Sequence, residues 1–192
     1  MNLTYAWIFL LVALTYSCEP EETYAPKPRG YFKIQFPEKH YRKIKPDQCP
    51  FEFEIPTYGF YKQHSEKPCW PNIEFPKLNA VLHVSYVPIK KDSLAKLIND
   101  AHILVNHHQV KSTGIEDIQI LRDSARVYGT LFEIKGNTAS VLQFYVTDST
   151  THFIRGALYF NCRPNADSLK RSTAFLKQDL IRSEEHTSEL QS

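Results

Sequence analysis

Between Gly114 and Asn161 the chain alternates with a period of two, and apolar side chains fall on both parities. Val141 and Tyr145 stand on one parity of the middle run, Leu142 and Phe144 on the other. A sheet built from such strands has two apolar faces and is covered on both. Three runs carry the pattern, 125–135, 139–146 and 152–161. The stretch "KGNT" supplies a Gly-Asn two-residue hairpin turn between the first pair. "TDSTT" supplies a five-residue loop of turn formers between the second. The cover must come from helices, and two segments have the right spacing. In "DSLAKLINDAHILVNHH" Leu94, Leu97, Ile98, Ala101, Leu104 and Val105 recur at helical intervals, with Asp92 placed as N-cap. In 167–181 ("DSLKRSTAFLKQDLI") Leu169, Thr173, Leu176 and Leu180 form one stripe.

Ahead of these elements the chain is rich in Pro and Tyr, and "YFKIQFPEKHYRKIKP" and "CPFEFEIPTYGFY" predict short strands broken by prolines. "AVLHVSYVPI" predicts a further strand over 80–89. The order is strands, helix, antiparallel meander, helix. That is an α+β chain with a mainly antiparallel central sheet and two main helices, and its architecture is similar to the α/β/α sandwich of the Mog1/PsbP-like class. Architecture of this kind does not determine activity.

The ends are set apart from this fold. An apolar run of nine residues, 6–14, is too short to span a bilayer. It leads to "TYSC", which resembles a lipobox with Cys18 as the lipidated residue, although Thr15 stands where Leu is usual and no Lys or Arg precedes the run. An ordinary signal peptide, or a short anchor with an incidental cysteine, is the alternative. Residues 1–17 are therefore expected to be a lipoprotein signal peptide and 18–30 ("EPEETYAPKPRG" after Cys18) a tether. At the far end "RSEEHTSELQS", 182–192, back-translates to a reading frame of a common sequencing adapter, so these residues are expected to be an artefactual tail. Residues 31–181 remain as one globular domain, long enough for a real core. The chain's net charge is +2. It becomes +4 when that tail, with one Arg and three Glu, is set aside. So small a balance is no footprint for nucleic acid.

The chain has four cysteines. With Cys18 lipidated, three are left for an oxidising compartment. Cys49 and Cys69 flank one strand-and-turn region and are the expected disulfide, while Cys162, at the end of an apolar strand, is expected to pack as a buried thiol.

The densest cluster of reactive residue types is "TDSTTHFIR", which holds Asp148, Ser149, His152 and Arg155. A Ser-His-Asp relay needs three groups converging from separate segments, and one short loop splays them. No G-x-S-x-G elbow is present, nor a glycine beside Ser149 to open an oxyanion hole. Asp148 and Ser149 therefore predict a turn. Arg155, mid-strand among apolar residues, predicts a partner, and Glu133 or Tyr145 could supply it. The alternatives for Arg155 are an edge position or contact with a ligand or another protein. Offsets of five and six separate His102 from His107 and His108, unsuited to a shared metal on one helix face. Only six glycines occur, none patterned for nucleotide phosphate. No metal or cofactor is expected. Trp70, with Pro68, Pro71, Phe75 and Pro76, forms an aromatic–proline patch that either packs or docks.

Five stretches, "PKPRGYFKIQFPEKHY", "CPFEFEIPTY", "CWPNIEFP", "KGNTASVLQFYVTDSTTHFIRGALYF" and "RPNADSL", resemble in order the gliding-motility lipoprotein GldD family of the Bacteroidota. The resemblance runs from about Tyr24 to Ile181. It implies a cell-envelope lipoprotein, lipid-anchored and facing the periplasm, that supports gliding and type IX secretion without enzymatic activity. Its partners would be the membrane and other gliding and secretion envelope proteins. Trp70, Asp148, His152 and Arg155 are the candidate interaction surface. Two other readings stay open: a periplasmic module holding a small ligand or glycan between sheet and helix, and an envelope hydrolase using Ser149 or His152.

Overall fold

The structure is a computed structural model that describes residue 30, residues 33–91 and residues 93–185. The expected signal peptide, Cys18 and the rest of the tether before residue 30 lie outside the described residues, as do Asp92 and the tail from 186 onward.

Within the unit that begins at Ile34, a short hairpin comes first, β1 (Tyr41–Ile44) against β2 (Phe53–Pro56). Then follow β3 (Phe60–Lys62), β4 (Asn72–Phe75), β5 (Ala80–Pro88), α1 (Leu94–Asn106), β6 (Ser112–Arg122), β7 (Val127–Gly136), β8 (Ser140–Thr147), β9 (His152–Phe160) and α2 (Ala166–Glu185). Strands β3 to β9 form one antiparallel sheet in the order β3-β4-β5-β9-β8-β7-β6. The fold is α+β.

The sheet order determines where the helices go. β5 and β6 lie on either side of β9, β8 and β7, so α1, which connects them, crosses one face of the sheet over β8 and β9. There Ala101 and Val105 pack with Phe132, Ile134, Tyr145 and Phe153. Leu104, expected on the same stripe, is 39 % exposed. The other face is covered by α2 and the β1–β2 hairpin, with Leu176 and Leu180 on Leu131, Leu142, Phe144 and Leu158. β8 is buried along its whole length because it has a strand on each side and a layer on each face. Opposite Phe144, Gly156 leaves room for the ring, and a Cβ there would run into it.

Several expectations need correction. The connection after β7 is three residues, 137–139, with Gly136 at φ +100°, in place of a two-residue Gly-Asn turn. The run 125–135 starts too early, since Asp123–Ala125 is a 3₁₀ turn that ends with Arg126 in the left-handed region. β6 was not among the expected strands. Ser93 holds the N-cap position of α1, and its Oγ bonds the backbone of Lys90. Cys162 is exposed, because β9 stops at Phe160 and the thiol falls in the following loop.

The helix α2 runs past Ile181 into the segment set aside as a tail, and Arg182 lies over the Tyr41 ring with its Nε 3.3 Å from Glu54. One turn earlier, Asp179 is 1 % exposed. Its Oδ1 accepts from Lys39 Nζ at 2.8 Å and from the Tyr41 hydroxyl at 2.7 Å, and its Oδ2 from the Tyr58 hydroxyl. Lys39 also donates to the Phe175 carbonyl. Burial, and next the bond to Asp179, push the pKa values of both tyrosines upward. Fully satisfied, such a cluster fixes geometry; with Lys39 removed, the buried carboxylate left without its counter-charge costs about 3–5 kcal/mol.

Candidate functional site

The nominated residues sit around β9, and alternation along that strand separates them. The β8–β9 turn is built on Asp148. Its Oδ1 accepts the backbone N–H groups of Thr150, Thr151 and His152 at 3.0, 2.8 and 2.8 Å, and its Oδ2 accepts the Thr150 hydroxyl at 3.0 Å. Burial pushes the Asp148 carboxyl up, but these donors outweigh it and hold the pKa below the usual value. Thr147 Oγ1 accepts the Ser149 N–H and donates to the His152 carbonyl. Ser149 is exposed at φ +67°. The acid is thus spent on the turn's own backbone.

His152 turns away from that acid. Its Nδ1 meets the Tyr86 hydroxyl at 2.9 Å, and the rings lie 5.8 Å apart. Burial, and then the Asp148 charge, raise the Tyr86 pKa. The three groups do not form an acid–imidazole–hydroxyl relay. Tyr86 instead links two of the nominated positions, because its backbone carbonyl accepts the Trp70 indole N–H at 2.9 Å.

Arg155 points to the opposite face from His152. It pairs across the ladders with Ser85 on β5 and Tyr145 on β8. The partners expected from sequence do not serve it. Glu133 is opposite Leu142, on the α2 face, and is bonded to Lys177 of α2 at 2.5 Å. The Tyr145 hydroxyl is bonded to Thr130. No hydrogen bond or ion pair joins the guanidinium to any described residue.

What surrounds Arg155 is a cleft of about 490 Å³ over β4, β5 and β9, lined among others by Trp70, Asn72, His83, Ser85 and Tyr159. It exists because α1 crosses over β8 and β9 and no described helix lies on the β4–β5 end of this face. Trp70 is 38 % exposed, with the Lys67 ammonium over its ring at 4.0 Å. His83 Nδ1 is 2.7 Å from Asn72 Oδ1, and its ring meets Tyr159 edge-on at 5.6 Å. A disulfide between Cys49 and Cys69, with Cα atoms 5.5 Å apart, holds the chain immediately before Trp70. The cleft therefore unites Trp70 and Arg155, while Asp148 lies in the turn and His152 on the other face. His83, Asn72 and Tyr159 were missed by sequence reasoning. The alternation in "AVLHVSY" and "IRGALYF" could have put His83, Arg155 and Tyr159 on one face, had the β5–β9 pairing been known.

Among the described residues no three His, Cys, Asp or Glu side chains are grouped to hold a metal. His102 packs edge-on against Phe132 at 5.1 Å, and His107 is the C-cap of α1. Burial, followed by the neighbouring His107, lowers the His108 pKa.

Compared with known proteins, the chain matches the family described as gliding motility lipoprotein GldD over residues 21–185. No curated protein matches it. Among solved structures it is similar in fold to the solution structure of cyanobacterial PsbP (CyanoP) from Synechocystis sp. PCC 6803. The TM-score is 0.45 at 12 % identity, covering 80 % of this chain and 96 % of that one.

Proposed function

We infer the function from a premise of kinship: the chain belongs to the gliding motility lipoprotein GldD family. Family membership implies a role in gliding motility and an envelope-associated, lipid-anchored protein. Among the described residues no helix is long and apolar enough to cross a membrane. Beyond that, we propose that Cys18 carries the lipid, that the folded part faces the periplasm, and that it acts through contacts with other envelope proteins of the gliding and type IX secretion apparatus. In this reading it is an accessory subunit without chemistry of its own. The observation that carries it is the family match, which begins at residue 21 within the expected tether and spans every described strand and helix from Ile34 on. The consumption of Asp148 by backbone amides supports the same reading, since it removes the acid from any relay with His152.

The test is complementation of a strain lacking the gene. Wild type should restore spreading and secretion and should incorporate an alkyne fatty acid, whereas Cys18→Ala should lose the label and the membrane fraction. Ser149→Ala should restore spreading at normal abundance. Equal labelling of Cys18→Ala would reject the anchor. Abolished spreading by an abundant Ser149→Ala protein would reject a role without chemistry at this turn.

A further inference from the structure

The Arg155 guanidinium has no partner among the described residues that would account for its place in the sheet face. A guanidinium is a planar fork of five donors that pairs bidentately with a carboxylate or phosphate. Here it is half-buried in the sheet face and unpaired among the described residues, while Ser85 and Tyr145, its cross-strand neighbours, offer only a backbone-bonded hydroxyl and an engaged phenol. Lys67 adds a second cation at Trp70, and among the described residues no Asp or Glu lines the cleft. The field in the cleft thus favours an anion.

The walls narrow the choice of anion. Trp70 and Tyr159 provide aromatic surface, and Asn72, Ser85 and His83 provide polar atoms around it. When His83 donates through Nδ1 to Asn72 Oδ1, its Nε2 is an acceptor, suited to a hydroxyl donor and unsuited to a phosphate oxygen. Aromatic surface beside alternating donors and acceptors matches a sugar ring, which has a C–H face and a rim of hydroxyls. A volume of about 490 Å³ lies within the range of small-molecule sites.

We propose that this cleft binds an acidic saccharide, with the sugar ring against Trp70 and Tyr159, hydroxyls bonded by His83 and Asn72, and the carboxylate paired with Arg155. The site lies on the open sheet face, and the proposal stands on geometry independent of the motility assignment.

The experiment is calorimetric titration of the full chain in a non-ionic detergent with three probes: trigalacturonate, neutral galactotriose and inorganic phosphate. Trigalacturonate should bind, and the neutral sugar should bind at least about tenfold more weakly, a difference of about 1.4 kcal/mol. Arg155→Gln should lose about tenfold or more for the uronate with its melting temperature unchanged, since no internal partner is orphaned. Arg155→Lys should recover only part of the affinity, because an ammonium cannot pair bidentately. Trp70→Ala should weaken both sugars. No uronate binding at millimolar concentration, equal affinity for the neutral sugar, or unchanged affinity in Arg155→Gln would each overturn the proposal. Phosphate that binds as tightly as the uronate would overturn the saccharide and leave a simple anion site.

Discussion

Asp148 shows how a single side chain can carry a turn. Its carboxylate replaces the ladder partners that Thr150, Thr151 and His152 lose where β8 reverses into β9. Ionised acceptors make the stronger hydrogen bonds, so this turn is sensitive to acid. A free aspartate titrates near 3.9, and Asp148 titrates below its ordinary value when folded. Its contribution is therefore fully present above about pH 4 and is lost as the pH falls through the folded value. Denaturant titrations at a series of pH values should show stability falling in that window, with a shallower fall in Asp148→Asn. The same slope in both proteins would assign the acid sensitivity to another carboxylate. Asp148→Ala should also cost about 2 kcal/mol at neutral pH, because the buried His152 amide loses its acceptor while those of the exposed Thr150 and Thr151 are left to water.

At the scale of elements, two connections repeat one conformation. β4 enters β5 through Pro76–Leu78 and Asn79 at φ 49°, ψ 44°; β6 enters β7 through Asp123–Ala125 and Arg126 at φ 52°, ψ 41°. Asn79 suits the left-handed region, and its side chain also bonds the Asn161 carbonyl. Arg126 brings only the cost. Arg126→Gly should raise stability by about 1 kcal/mol, read from the denaturant midpoint, whereas Asn79→Gly should not. This turn also explains what was legible in the sequence. "DSAR" contains no Gly or Pro, so nothing in these residues marks a break before the strand expected over 125–135. β6 was hidden because its isoleucines step from 115 to 118 to 120: Ile115 packs on the α1 side and Ile118 and Ile120 on the α2 side, so no single parity stands out. β8, β9 and both helices were legible because their periods are unbroken. The cleft was not, because it depends on which strand β5 pairs with. Local spacing contains no information about the return of β9 to β5, nor about the face on which Glu133 falls.

Across the molecule, the sheet's two faces are covered unequally, and the loops close the difference. The Cys49–Cys69 disulfide encloses a separation of 20 residues that includes β2 and β3. By the loop-closure relation it contributes about 3 kcal/mol. The double variant Cys49→Ser, Cys69→Ser should therefore be less stable by that amount, read as a lower denaturant midpoint. An unchanged midpoint would mean that the surrounding packing alone holds the two loops. The other tie is Asp179. Lys39 and Tyr41 reach it from the first residues of the compact unit, Tyr58 from the turn after β2, and the carboxylate itself rides on the closing helix. A pull entering near Ile34 would load the Phe36–Phe175 ring stack and this cluster, both on α2, while β1 pairs only with β2 and not with the seven-stranded sheet. Tension applied at Ile34 would thus reach α2 through a ring stack and a buried carboxylate. Asp179 serves as a rivet at the point where the chain would otherwise peel.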